Sequence, residues 1–349
     1  MTPCHECILR PRCGGLVKDG EAEYTCMLRC GQCRDKHGNC PFACPNNEAR
    51  FTMMVGEVKS LTYKPVTKLV SPLVSDWPLF APQIYHGSRR SRPLHADCVS
   101  ISIKSLLAET KPGDGPNEVR KAFKLDPSTR VIGLGVARDH FLEKWWGERR
   151  RVAEHLAGLG LDGVTTPNFS VFSNAPRPQT MVSIARIHHF SEALSAAGAA
   201  VIPHVYAETD HDWEQWKSVL RDQPAVHAIA MEFQTGLLKE DKAQRYIERL
   251  VELREAVGRP LHLVAVGGTK YASVLLQAFP DSFTVTDATS FFKTFYRRRL
   301  DQAKPEVSVK MLPHEDLTDL LQQNIDSREL RLRKKLRLPL PAAGLLLAA

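Results

Sequence analysis

No stretch of this 349-residue chain approaches the roughly 18 to 20 apolar residues that cross a bilayer, and the apolar tail Leu345-Leu346-Leu347-Ala348-Ala349 is far too short. No membrane span is expected. There is no Gly-x-Gly-x-x-Gly turn following a strand pattern and no Walker phosphate loop, so neither usual nucleotide fingerprint is present. The opening Met1-Thr2-Pro3-Cys4 lacks an apolar run behind a basic start, which places the expectation in a reducing, cytoplasmic compartment. Cysteine is nearly missing from the bulk of the chain, since only Cys98 lies beyond Cys44.

The other eight cysteines are crowded into Cys4-x2-Cys7-x5-Cys13 and Cys26-x3-Cys30-x2-Cys33-x6-Cys40-x3-Cys44-Pro45. A segment of about 45 residues with few large apolar side chains cannot bury enough surface to offset its ordering entropy, so an ion or a cross-link must hold it. Reduced thiols favour an ion. Cys4 with Cys7 and Cys30 with Cys33 have the spacing of tetrahedral Zn2+ knuckles, and Cys13, Cys26, Cys40 and Cys44 could close a second site, with His5 or His37 replacing one ligand. Equally, Cys26, Cys30 and Cys33 match the three-cysteine spacing of a radical S-adenosylmethionine [4Fe-4S] cluster, and Cys40-x3-Cys44-Pro45 ends like a ferredoxin run. Zinc and [4Fe-4S] both remain open.

Hydrophobic residues at 43% and charged residues at 25% are values of an ordinary globular protein. The net charge of +8 favours anionic partners, nucleic acid (DNA or RNA) or a nucleotide-like ligand among them. Part of that excess lies in Arg149-Arg150-Arg151, Arg297-Arg298-Arg299 and the stretch from Arg331 to Arg337.

Residues 1–50 read as a cysteine-rich metal-binding module, 51–94 as a proline-broken connector, 95–300 as an α/β barrel domain and 301–349 as a C-terminal helix and basic tail. Short apolar runs at 99–103, 130–136, 163–166, 200–206, 228–233, 261–266 and 283–287 alternate with helical patterns, among them 139–159, 179–197, 212–220, 241–257 and 271–278. Alternation of this kind implies parallel pairing through right-handed crossovers. Seven candidate strands fit an α/β fold of the (β/α)8 barrel type, complete or with one strand hidden in the connector.

In such a barrel the carboxyl ends of the strands carry the site. The candidates there are Arg138 and Asp139, then Asn168 and Ser170, His204 and Glu208, Glu232 and Gln234, Gly267, Gly268 and Lys270, and finally Asp287. Asp287, Glu232 and His204 are the catalytic candidates, because carboxylates and an imidazole facing one cavity can move protons or attack carbon. Asn168, Ser170, Gln234, Gly267, Gly268 and Lys270 are candidates for substrate binding, the glycine pair because it lets backbone N–H groups approach a ligand closely.

The run Thr165-Thr166-Pro167-Asn168-Phe169-Ser170-Val171-Phe172, the run Leu263-Val264-Ala265-Val266-Gly267-Gly268 and the strand end Val285-Thr286-Asp287 together resemble the tRNA-guanine transglycosylase superfamily, including its DNA 7-deazaguanine-modifying relatives, over about 163–299. The resemblance implies that Asp287 attacks a sugar, that Gly267 and Gly268 contact a base and that Asn168 lies near it. The family's Asp-Ser-Gly motif is absent at Thr166-Pro167-Asn168, as are its zinc ligands near the barrel's end. The same stretch also resembles uncharacterised barrel proteins of bacterial mobile elements and phages, which implies no activity. The resulting expectation is a metal-containing transferase acting on nucleic acid or a nucleotide-like base by transglycosylase-like base exchange. An iron-sulfur redox or radical enzyme and a non-catalytic zinc-dependent nucleic-acid-binding protein are the alternatives.

Overall fold

The computed structural model describes residues 4–7, 9–15, 48–62, 64–75, 77–171, 175, 177–234, 237, 240–280, 282–301, 308–312 and 316–339. The N-terminal part carries the short helix α1 (Arg10–Cys13) and α2 (Glu48–Ser60). Then follow β1 (Gln83–Ile84), β2 (Cys98–Ser102), α3 (Ile103–Glu109), α4 (Pro116–Ala122), β3 (Arg130–Leu134), α5 (Asp139–Gly147), α6 (Arg149–Gly158), β4 (Gly163–Thr165), α7 (Arg177–Ala196) and β5 (Val201–Ile202). The second half continues with α8 (Asp210–Asp222), β6 (Ala228–Glu232), α9 (Glu240–Val257), β7 (His262–Val266), α10 (Ala272–Ala278), β8 (Phe283–Thr286), α11 (Thr289–Phe295), β9 (Arg298–Leu300), β10 (Ser308–Lys310) and α12 (Leu317–Leu336).

Strands β1 to β5 pair in parallel in chain order, and so do β6 to β8. Two backbone seams join these sheets into a closed (β/α)8 barrel. At one, the Ala230 N–H donates to the Pro203 carbonyl at 2.8 Å and the Val205 N–H to Ala230 at 2.9 Å. At the other, the Ala81 N–H donates to Val285 at 3.0 Å, the Val285 N–H to Leu79 at 2.8 Å and the Gln83 N–H to Asp287 at 2.9 Å. Strand β1, which closes the ring, lies within the proline-rich stretch where one strand was suspected. Its regular part is two residues long, too short to show a period in sequence. The helical pattern over 139–159 resolves into α5 and α6, broken at Gly147–Glu148.

Strand residues alternate between two cores. Ala81, Cys98, Ile132, Leu134, Ile202, Ala228, Ala230, Val264 and Val266 fill the lumen, while neighbours such as Val99, Val131, Val164, Val201, Ile229, Leu263 and Val285 pack outward under the helices. Helix starts are set locally: the Ser102 hydroxyl accepts from the Ser105 N–H at 3.1 Å, Pro116 opens α4, and Asp316 caps α12.

The N-terminal elements dock on α7. Leu9, Cys13, Met54, Val58, Met181 and Val182 form a separate small core. Beside it Arg177, only 1% exposed, donates to both carboxylate oxygens of Asp212 at 2.8 and 2.5 Å, to Glu208 at 3.3 Å and to the Cys13 carbonyl at 3.1 Å. Arg177→Met would leave two carboxylates buried without their cation, so unfolding in urea should occur with stability lowered by about 3 to 5 kcal/mol; an unchanged midpoint would show that the network carries no such weight.

Candidate functional site

The lumen changes character along its length. Above the apolar residues Ile202, Ala228 and Ala230, the next inward positions on β5 and β6 are His204 and Glu232, and Ser100, Thr165 and Thr286 add hydroxyls from the other strands. Polar groups therefore gather at the carboxyl ends of the strands, where loops from several strands meet.

One group forms over β4, β5 and β6. The Glu232 carboxylate accepts from Asn168 Nδ2 at 3.2 Å and from the Tyr206 hydroxyl at 3.1 Å, and Asn168 Oδ1 accepts from the Ala137 N–H at 3.3 Å. His204 stacks on Tyr206 with ring centroids 5.9 Å apart. Its Nδ1 lies 2.5 Å from the Thr166 carbonyl oxygen, which can only accept, so the proton sits on Nδ1 and Nε2 carries a lone pair. That Nε2 is buried and has no protein partner among the described residues. Burial, opposed in part by the Thr166 bond, pushes the His204 pKa down to about 4, so the ring is neutral near pH 7. Burial, reinforced by the Glu232 charge, raises the Tyr206 phenol well above its ordinary value and keeps it protonated.

A second group forms over β7 and β8. Asp287 Oδ2 accepts from Arg328 Nε at 2.9 Å, Arg328 Nη2 at 2.7 Å and the Thr269 hydroxyl at 2.7 Å, while Oδ1 accepts from the Thr289 N–H at 3.0 Å. Burial alone would raise this carboxyl, but the Arg328 charge and these hydrogen bonds prevail and hold it below the usual carboxylate range. A cavity of about 730 Å³ opens beside the pair. Phe233, Tyr271, Phe292 and Tyr296 supply aromatic walls, and Lys270, Lys293, Arg298 and Arg328 supply cations.

Sequence-derived candidates divide between these groups. Asn168, His204 and Glu232 belong to the first; Gln234, Gly267, Lys270 and Asp287 line the cavity of the second. Gly268 is buried, and Ser170 turns outward, its hydroxyl donating to Asp139 at 3.3 Å. Gly267 has φ +74°, and a β-carbon there would come within 2.3 Å of the Gln234 side chain. The glycine is required by that turn and that approach.

Arg328, Lys293, Arg298 and Tyr206 were not singled out from sequence. Arg328 follows Leu320, Leu321, Asn324 and Ile325 on the face of α12 that is buried toward the barrel, and an arginine on an apolar stripe was the available signal. Tyr206 continues the inward alternation 202, 204, 206. Among the described residues no group of three or more His, Cys, Asp or Glu could hold a metal. The expected ligands Cys26, Cys30, Cys33, Cys40 and Cys44, with the side chain of Cys4, lie outside the described residues; Cys13 is a buried free thiol and Cys7 a half-buried one.

No protein-family model matches the chain, and no curated protein matches it. Solved structures of similar shape include a putative fructose-1,6-biphosphate aldolase from Coccidioides immitis, 10% identical with a TM-score of 0.40, covering 82% of this chain and 94% of its own. Another is oxaloacetate acetylhydrolase, 14% identical with a TM-score of 0.38, covering 77% of this chain and 93% of its own. Identities and scores this low carry neither family nor activity across. No family model, that of the tRNA-guanine transglycosylases included, matches the chain, and neither neighbour is such an enzyme. The resemblance to that superfamily, and with it to mobile-element and phage barrel proteins, is thereby corrected. So is the expected function, a metal-containing enzyme exchanging bases on nucleic acid, and its iron-sulfur and nucleic-acid-binding alternatives have no support in these findings. The geometry agrees: an Asp287 carboxylate whose two oxygens accept four hydrogen bonds is poorly disposed to attack a sugar, and Asn168 is bound to Glu232 rather than placed beside it.

The buried imidazoles set the pH response. His204 and His262 are depressed by burial from 6.5 to about 4, and His188, by burial and then by the charge of His189, to about 3. The unfolded chain thus binds more protons below its histidine pKa, so stability is full above about pH 6.5 and falls as pH drops towards 4. Urea midpoints measured across that range should decline, with a shallower slope in His204→Gln; a midpoint rising on acidification would contradict the burial of neutral rings.

Proposed function

We propose that this chain is a barrel enzyme acting on a small anionic molecule held across the C-terminal mouth, its anionic group over β7 and β8 and its body between the aromatic walls. The observation that supports this most is the placing of like charges. Lys293 Nζ and Arg298 Nη1 both donate to the Ser308 hydroxyl, at 3.3 and 3.2 Å, so two cations converge at the rim of the cavity. Both are at least partly exposed, so solvent screens their repulsion, and a bound anion would relieve what remains of it. Arg328 adds a third cation whose guanidinium has five N–H donors, of which two bonds go to Asp287. Asp287 is the one carboxylate among the described residues that line the cavity, and its role in this reading is to orient Arg328 rather than to react. A volume of about 730 Å³ suits a metabolite-sized molecule.

Inorganic phosphate and citrate separate the two sources of such an anion. Calorimetric titration should show saturable binding of at least one of them, weakened about tenfold in Arg298→Ala and in Lys293→Ala and reduced by added salt. Binding that is absent for both, or indifferent to both substitutions, would refute the reading.

A further inference from the structure

The cavity over β7 and β8 has an apolar lining of one kind. Among the described residues that line it, the large apolar side chains are the rings of Phe233, Tyr271, Phe292 and Tyr296, and Ala288 is the one aliphatic side chain. The lumen is filled instead by aliphatic groups such as Ile132, Leu134, Ile202 and Val266. Phe233 and Tyr271 are the buried part of the lining, with ring centroids 5.9 Å apart and the Tyr271 hydroxyl tied to the Leu237 carbonyl at 2.7 Å. Phe292 and Tyr296 are the open part. One helical turn apart at the end of α11, they keep 46% and 65% of their surface exposed. A neighbour buttresses each of them, Tyr85 against Phe292 and Phe295 against Tyr296, both with centroids 5.3 Å apart. Rings already held in place lose little freedom on taking a flat partner.

Resting on the anionic-substrate reading above, we propose that the ligand is a planar aromatic anion, an aryl phosphate or aryl carboxylate, whose ring packs on these side chains while its charged group meets the cations. Ring packs on ring in offset or edge-to-face geometry, and such a pair gains more than the buried area alone supplies. A wall of aromatic side chains therefore distinguishes a flat ring from a saturated one of similar size. Charge and ring must also lie close together in the ligand. Lys293 follows Phe292 directly, Arg298 comes two residues after Tyr296, and all four line the same cavity. An anionic group joined to the ring itself, or through a single atom, meets both needs at once.

Phenyl phosphate with cyclohexyl phosphate, and benzoate with cyclohexanecarboxylate, are the probes, two pairs matched in charge and close in size that differ in the ring. Burial by itself gives equal affinity within a pair or favours the bulkier saturated ring. In calorimetric titration of the full chain, the aromatic member of at least one pair should bind about fivefold more tightly. Phe292→Leu and Tyr296→Leu keep an apolar side chain and all the cations, and each should bring that ratio to about twofold or less. Binding of inorganic phosphate or citrate with no aromatic preference in either pair, or a preference that both substitutions leave untouched, overturns this proposal while the anion site stands. Failure of inorganic phosphate and citrate alike overturns the anion reading. The uncharged pair benzyl alcohol and cyclohexylmethanol then tests the aromatic walls alone by saturation-transfer NMR. A stronger response from benzyl alcohol that is lost in Phe292→Leu upholds recognition of the ring, and its absence overturns it.

Discussion

Two backbone seams carry this architecture. Between β5 and β6 and between β8 and β1, a few N–H to carbonyl bonds close eight short strands into a ring. Closure removes the sheet's edges and forces alternate residues inward. The polar lining at the ring's upper end follows from which residues those inward positions hold. Below, they are Ala81, Cys98, Ile132, Ile202 and Val264, and the lumen is packed. Above, they become Thr165, His204, Glu232 and Thr286, and polar atoms meet where the chain leaves the ring. The His204↔Ala230 bridge is itself one of the seams, so the residue that closes the barrel also turns its ring inward, buried against Tyr206.

Helix α12 adds the second constraint. It is fixed against α11 and β9 through Asn324, which accepts from the Leu300 N–H at 2.7 Å and donates to Thr294 and to the Arg298 carbonyl, each at 2.9 Å. One helical turn on, Arg328 meets Asp287, and near the helix end Lys335 Nζ donates to the carbonyls of Thr269 and Lys270 at 3.1 and 2.7 Å. A segment following the barrel thus reaches back to the loops after β7 and β8. The Asn324 contacts are buried and the Arg328–Asp287 pair is largely so, whereas Lys335 lies at the surface. Their effect here is to hold a cationic wall over the mouth.

The barrel was legible because its code is periodic. Apolar runs at about thirty-residue intervals, each followed by an amphipathic helix, leave few topologies, and strands β2 to β8 fall where those runs lie. Strand β1 was not, since two residues and a bridge carry no period. Half of the site was legible for the same reason: His204, Glu232 and Asp287 are simply the last inward or terminal positions of their strands. Arg328 and Arg298 were hidden because they come from elements after the ring, and the tract around Arg297 to Arg299 looks the same in sequence whether it faces water or a cavity. The analogy of Asp287 to a sugar-attacking nucleophile lapses with the resemblance that carried it, and the structure shows what surrounds the residue instead. Position in a strand says where a carboxylate is, whereas reactivity depends on who binds it, and Arg328 was the unseen partner.

The central claim is that the mouth of the ring holds an anion between Lys293, Arg298 and Arg328. Crystals soaked in tungstate test it most directly, because the tungsten gives an anomalous signal at its position. The account predicts a peak within hydrogen-bonding distance of those three side chains, beside the Asp287–Arg328 pair. Tungstate bound only on the outer surface, with no peak at the mouth, would contradict it.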